Sequence, residues 1–275
     1  VLRGARTNKN VWRDEETDLP KAVVPSVLKG ARLLDVVAAS RNSLSLAELS
    51  QRLDLPKSSV LSLCTSLTQV GLLTRFDDGS YHLGTHLVDL AHAYLSRTDL
   101  TQEFARAWDS LHSMPGESAV LAVLDGTDVV YVACRNGSQP FSLTYRIGMR
   151  LPAHCTASGK ALLSTMSDER VRQLYRGKKL ERLTSHSRTS LKTLLADLAS
   201  VRAHGYAVDD EETREGMCCY GAPVFDATGR QAVAAVALSM MKTASSPREG
   251  DLAVKTVHEL AALMSRRLGM MSDRS

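Results

Sequence analysis

From Ser26 to Val70 apolar residues recur every three or four positions in three short blocks, the period of helices that bury one face. The first block, Ser26–Ala39, carries Val27, Leu28, Ala31, Leu34, Val37 and Ala38. The second carries Leu46, Leu49 and Leu53. It opens on Ser45 with Glu48 three residues on, a capping box in which each side chain satisfies the other's backbone amide. It ends at Asp54-Leu55-Pro56, because the residue before a proline is driven out of the helical region. Pro56 suits the first turn of a third helix, where no amide donor is missed, and Val60, Leu63, Leu67 and Val70 form its buried stripe. Gly71 is placed to stop that helix. Two short apolar-bearing runs around Asp77-Asp78-Gly79-Ser80 then read as a hairpin. Three helices and a β-ribbon in this order predict a winged helix-turn-helix over residues 25–84.

A long helix is expected from Thr85 to Leu111, with Leu87, Leu90, Ala91, Tyr94 and Leu95 as an early stripe and Phe104, Ala107, Trp108 and Leu111 as a later one. Thr98-Asp99 is a candidate interruption, and Met114-Pro115-Gly116 is a break. Residues 85–112 thus form a linker helix. From Glu117 the period changes. Ser118–Leu124 and Asp128–Cys134 read as strands joined at Asp125-Gly126-Thr127, and Ser142–Ile147 as a third. Residues 156–166, 168–175 and Ser190–Ala203 read as helices. Tyr206–Asp210, Cys218–Val224 and Gln231–Ser239 read as strands, and Arg248–Leu268 as a closing helix. Strands interrupted by helices, with hairpins among them, predict an α+β domain with a mainly antiparallel sheet over residues 113–270. Residues 1–24 show no periodicity and read as a mobile tail.

Composition adds boundaries. A chain of 275 residues has room for about two domains. No apolar run nears the roughly 20 residues that cross a membrane, and no basic start leads into an apolar core, so the expectation is a cytoplasmic protein with no membrane partner. Five cysteines, an odd count without a C-x-x-C pair, fit a reducing compartment better than a disulfide framework. Net charge is +4, and residues 25–84 hold six Lys or Arg against five Asp or Glu, only +1. Bulk charge therefore does not carry a case for double-stranded DNA as partner; placement does. A recognition helix sets side chains against base edges while flanking residues hold phosphates. On that reading Lys57, Ser58, Leu61, Ser62 and Thr65 face the duplex from the third helix. Ser45 stands at the start of the second helix, and Arg75 and His82 on the wing.

The chain also resembles the IclR family of bacterial transcriptional regulators, over roughly Val24 to Gly269. The matching residues are Leu46-Ala-Glu-Leu49, Leu55-Pro-Lys-Ser-Ser-Val60, Gly71-Leu72 and Tyr81-His-Leu-Gly84 in the first domain. In the second they are Arg150-Leu-Pro-Ala-His154, Ser158-Gly-Lys-Ala-Leu-Leu163, Gly205-Tyr-Ala-Val-Asp-Asp-Glu-Glu212, Gly216-Met-Cys-Cys219 and Ala222-Pro-Val-Phe-Asp226. The resemblance implies a GAF-like C-terminal domain and homodimers, often paired into tetramers, that bind promoter DNA. It implies a small-molecule effector, commonly an organic acid or aromatic compound, and an effector site at Ala157, Ser158, Asp209, Cys219 and Ser239. Two positions depart from the family: Ser62 stands where an Arg is frequent, and Ala237 where the last strand often has a polar residue two before Ser239.

The residues themselves leave alternatives open. Amides at the helix start near Gly159 suit an anion, while Asp209 beside a carboxylate repels it and reads equally as a strand-end cap. Cys219 reads equally as a small buried apolar residue. His154, Cys155 and Cys219 have no zinc-ligand spacing, and no metal or cofactor is expected. An enzyme would need Cys219 or Cys155 as nucleophile and His154 as base within reach, and no motif supports it. A third reading is a sensor that acts only through protein contacts.

Overall fold

The computed structural model describes residues 24–40, 42–96, 100–111, 114, 116–138, 144–242 and 247–269. The tail expected over residues 1–24 lies outside them, Val24 excepted. Contacts divide the described residues into two compact units that part within the region expected to be one linker helix, between residues 97 and 98.

The first unit begins with α1 (Pro25–Ala39), α2 (Leu46–Leu53) and α3 (Lys57–Gln69). The capping box of α2 is formed: the Ser45 amide donates to Glu48 Oε2 at 2.8 Å and the Glu48 amide to Ser45 Oγ at 3.3 Å. Asp54 closes the helix in the left-handed region at φ 53°. Pro56 is the N-cap of α3 with extended ψ, so α3 starts one residue later than the sequence suggested. The core is Leu33, Val37, Leu44, Leu49, Leu53, Val60, Cys64, Leu73 and Tyr81. It corrects the phase of two stripes. In α1, Gly30, Leu33 and Val37 are buried while Val27 and Ala38 face solvent. In α3, Cys64 takes the centre and Val70 is exposed. Gly71, at φ +72°, ends α3 as expected. The wing follows as β1 (Leu73–Arg75) and β2 (Tyr81–Leu83), paired Leu73 to Leu83 and Arg75 to Tyr81. Leu44 bridges Tyr81 through two backbone hydrogen bonds, Tyr81 N to Leu44 O at 2.9 Å and Leu44 N to Tyr81 O at 3.3 Å, and ties the wing to the start of α2. A further helix, α4 (His86–Ser96), exposes Val88 and Leu90, so its expected apolar stripe is not buried by its own unit.

The second unit contains α5 (Leu100–Ser110), β3 (Ser118–Asp125), β4 (Asp128–Arg135), β5 (Arg150–Pro152), α6 (Ala157–Ser164), α7 (Asp168–Leu174), α8 (Leu191–His204), β6 (Ala207–Asp210), β7 (Met217–Phe225), β8 (Ala232–Met241) and α9 (Pro247–Arg267). The expected long helix is thus two helices, α4 and α5. The strand expected over Ser142–Ile147 falls partly outside the described residues, and 144–146 form no strand. The extra strand β5 is only three residues long, too short for a periodic signal.

The six strands pair antiparallel throughout, in the order β5-β4-β3-β8-β7-β6. Adjacent residues of β7 show that both faces are covered. Gly221 abuts the start of α6, while Tyr220, pointing the other way, abuts Gly250 of α9. Helix α5 joins α9 through Arg267 and Glu103, 3.2 Å apart. Double coverage explains β8, Ala-Val-Ala-Ala-Val-Ala-Leu-Ser-Met-Met, in which nearly every residue is buried rather than every second one.

Candidate nucleic-acid interface and small-molecule site

The face of α3 turned away from the core displays Lys57, Ser58, Leu61, Ser62 and Thr65, all exposed as the sequence suggested. The helix contains no Asp or Glu. Its hydroxyls rest against their own backbone: Ser62 Oγ donates to the Ser58 carbonyl at 3.1 Å, and Thr65 Oγ1 to the Leu61 carbonyl at 2.9 Å. Each oxygen keeps acceptor capacity toward a partner. Leu61, 43% exposed, offers an apolar patch of the kind that meets a thymine methyl. Ser45 is exposed, but its amide and hydroxyl are both engaged with Glu48. On the wing the Arg75 guanidinium lies over the buried Tyr81 ring at 5.9 Å, which holds the cation in place. His82 meets Phe76 edge-on at 4.6 Å. Sequence reasoning overlooked Phe76, half exposed beside the wing turn; an aromatic next to Asp-Asp-Gly was its only signal.

The second cluster is built by register. Asp209 on β6 pairs with Cys219 on β7, Cys219 with Ser239 on β8, and Ser239 with Ser118 on β3. These four make one row across the sheet, and all are buried. In the next row Gly221 lies so close to α6 that a Cβ there would meet the Ala157 carbonyl carbon at 2.7 Å and the Ser158 nitrogen at 2.9 Å. Ala157 and Ser158 therefore sit over the row holding Asp209, Cys219 and Ser239, and the five residues implied by the family resemblance converge.

Two tyrosines that sequence reasoning missed complete the cluster. Tyr145 shares a 2.7 Å hydrogen bond with Ser239 Oγ and meets Tyr131 edge-on at 5.4 Å. Burial pushes both phenols well above their ordinary range. The Tyr145 backbone is held by Asn136, whose Oδ1 accepts from the Tyr145 amide at 2.8 Å. Ser158 Oγ, fully buried beside the Tyr131 phenol, closes no hydrogen bond of good geometry. Tyr131 was legible as an inward position of β4; Tyr145 had no periodic context to mark it.

Asp209 does two things. It faces the cluster, and its carboxylate caps the following turn, Oδ1 accepting from the Glu212 amide at 2.8 Å and the Thr213 amide at 3.2 Å, and Oδ2 from the Thr213 hydroxyl. Burial raises its pKa. Glu212 turns inward from the four-carboxylate run, expected to be a solvated turn or edge, and pairs with Lys160 of α6; both side chains are 3% exposed. Glu212 Oε2 has no hydrogen-bond partner, and burial raises the pKa of this carboxyl too. Lys160 also lies 3.7 Å from Asp197.

The helix start offers an anion less than its position suggests. Thr156 Oγ1 takes the Gly159 amide at 2.9 Å, and β7 covers the Ser158 amide at Gly221. The thiols are poor nucleophiles: burial pushes Cys155 up to about 12 and Cys219 well above its ordinary range, and only the thiolate attacks. His154 is buried, its pKa lowered by desolvation, with Nε2 3.0 Å from the Glu181 carbonyl. Among the described residues no group of three or more His, Cys, Asp or Glu is placed to hold a metal ion, and no helix is long and apolar enough to cross a membrane.

Comparison with known proteins agrees with this division. The family model for the bacterial transcriptional regulator IclR C-terminal domain matches residues 92–266, and that for the IclR helix-turn-helix domain matches residues 26–76. The transcriptional repressor IclR of Escherichia coli is 32% identical over 222 residues, 78% of this chain and 80% of its own. The crystal structure of the Agobacterium tumefaciens repressor BlcR, 38% identical, covers 91% of this chain and 99% of its own with a TM-score of 0.60. An IclR homologue from Microbacterium hydrocarbonoxydans, solved in complex with 4-hydroxybenzoate, has the same fold at 22% identity, with a TM-score of 0.77 over 88% of this chain and 98% of its own.

Proposed function

The chain belongs to the IclR family of bacterial transcriptional regulators, with a helix-turn-helix domain and a C-terminal effector-binding domain, and from that premise we propose how it works. It acts in the cytoplasm as a homodimer, or a pair of homodimers, on promoter DNA. Helix α3 enters the major groove with Lys57, Ser58, Leu61, Ser62 and Thr65 toward the bases, and Arg75 and His82 hold the flanking backbone. The observation that carries this reading is the exposed face of α3, which bears a cation and hydroxyls and has no carboxylate anywhere on its helix. Ser45 contributes by fixing the start of α2 rather than by reaching bases. Ser62 in place of an arginine removes one strong phosphate or guanine contact, so more of the binding falls to Lys57 and Arg75.

A small molecule held at Ala157, Ser158, Asp209, Cys219 and Ser239 shifts the balance between DNA-competent and incompetent dimers. The relative solved with 4-hydroxybenzoate supports a small organic effector. The element that must change is the spacing of the two α3 helices, which has to match half-sites about 34–36 Å apart. The buried, protonated thiols and the committed imidazole favour a binding role over a cysteine enzyme.

Gel-shift and footprinting on the DNA upstream of the protein's own gene test the proposal. Protection of two half-sites, weakened by salt and by Lys57→Ala, is the expected result. Absence of salt-dependent binding to that DNA and to a random duplex library would overturn it.

A further inference from the structure

We propose that the effector of this chain is an uncharged molecule bearing a hydroxyl, amide or carbonyl oxygen, and that the Ser158, Ser239 and Tyr145 hydroxyls bind it in preference to any carboxylate. The inference rests on reading the Asp209–Cys219–Ser239 row as the effector site, and deepens that reading.

The donors that converge there are all neutral. Tyr145 and Ser239 already share one hydrogen bond, which leaves acceptor and donor capacity on both oxygens. Ser158 Oγ is fully buried and makes no well-formed bond, so it gains a partner when a ligand oxygen arrives. The walls between are Ala157, Cys219 and Ala237, all buried and uncharged.

No cation is available for a carboxylate. The buried lysine of α6, Lys160, is spent on Glu212 and Asp197. Residues 139–143, which precede Tyr145 in the chain, read Gln-Pro-Phe-Ser-Leu and bring no charge. The α6 amides do not substitute: one is capped by Thr156 and the next is covered at Gly221. Asp209, buried at the end of the row, adds a second carboxyl that a bound anion would face. A desolvated carboxylate without a partner is strongly disfavoured. A neutral oxygen meets three hydroxyls and no repulsion.

Calorimetric titration and thermal shift of the full chain at neutral pH, using probes matched in skeleton, test this. The pairs are 4-hydroxybenzamide with 4-hydroxybenzoate, and butanamide with butyrate. The neutral member of at least one pair should bind about tenfold or more tightly than its acid. Ser239→Ala and Tyr145→Phe should each weaken the neutral probe. Asp209→Asn, which keeps an oxygen for the two turn amides, should narrow the gap by admitting the acid. Acids that bind as tightly as their amides overturn the proposal. So does neutral binding indifferent to Ser239→Ala and Tyr145→Phe, and so does the failure of every probe to bind at millimolar concentration. A gel shift run in parallel keeps the two readings apart: loss of DNA binding with neutral-probe binding intact refutes the regulator mechanism alone.

Discussion

The DNA-facing side of α3 and the buried row Asp209–Cys219–Ser239 are both binding surfaces by composition, yet they are made in opposite ways. The first is a single helix face, set by residues one turn apart and open to solvent. The second is assembled from three strands and roofed by a helix that begins some fifty residues before β6. On the open face a side chain is tolerated because water solvates whatever the partner does not use. In the buried row every polar atom must find a partner in the fold, and the exceptions, Ser158 Oγ and Glu212 Oε2, stand out. Substitutions should therefore act on stability in one region and on affinity in the other.

The largest effect is expected from Lys160→Ala. It strands Glu212 and Asp209 as buried carboxyls without their cation, and loss of one partner of a buried pair costs about 3–5 kcal/mol. Urea unfolding of the second unit measures it; a cost near zero would mean that the pair is solvated. Next comes Gly221→Ala, whose methyl meets the Ala157 and Ser158 backbone at under 3 Å. Overpacking of this kind costs about 1–3 kcal/mol, and it should blunt the response to effector in a gel shift more than it lowers affinity for DNA. In the first unit, Ser45→Ala removes half of the capping box and should cost about 1 kcal/mol by thermal unfolding. The smallest change is one of slope: Lys57→Ala and Arg75→Ala should each flatten the log–log dependence of DNA affinity on salt by about 0.9, with little change in melting temperature.

Proton linkage sharpens the contrast. Burial raises the pKa of Asp209 and Glu212, so the native second unit holds these protons to a higher pH than the unfolded chain does. Between the unfolded and folded values the native state binds more protons. The contribution of these groups to stability therefore falls as pH rises through that window and returns as pH falls back toward the ordinary carboxylate range. Urea midpoints over a pH series should show this contribution, and Asp209→Asn should reduce it. The exposed face of α3 has no carboxylate to add a counterpart.

The winged helix was legible because its signals are local: the Ser45–Glu48 box, Pro56, Gly71 and the Asp77–Ser80 turn each act within a few residues. The strands of the second unit were legible by alternation and turn chemistry, with the three-residue β5 too brief to register. What the chain did not disclose locally was phase and partnership. Leu33 rather than Leu34 is buried in α1, because the choice between neighbours on an apolar arc belongs to the helices packed against it. Glu212 turned inward from a run of four carboxylates because Lys160, distant in sequence, waits under it. Tyr145, in a segment without regular structure, reached Ser239 only because β8 brings that serine beneath it. The order of amino acids settled which elements form and which faces meet water, since hydrogen bonds and steric limits operate over one turn. Strand register and helix coverage settled which side chains share a buried site, since those contacts exist only after distant segments have closed on one another.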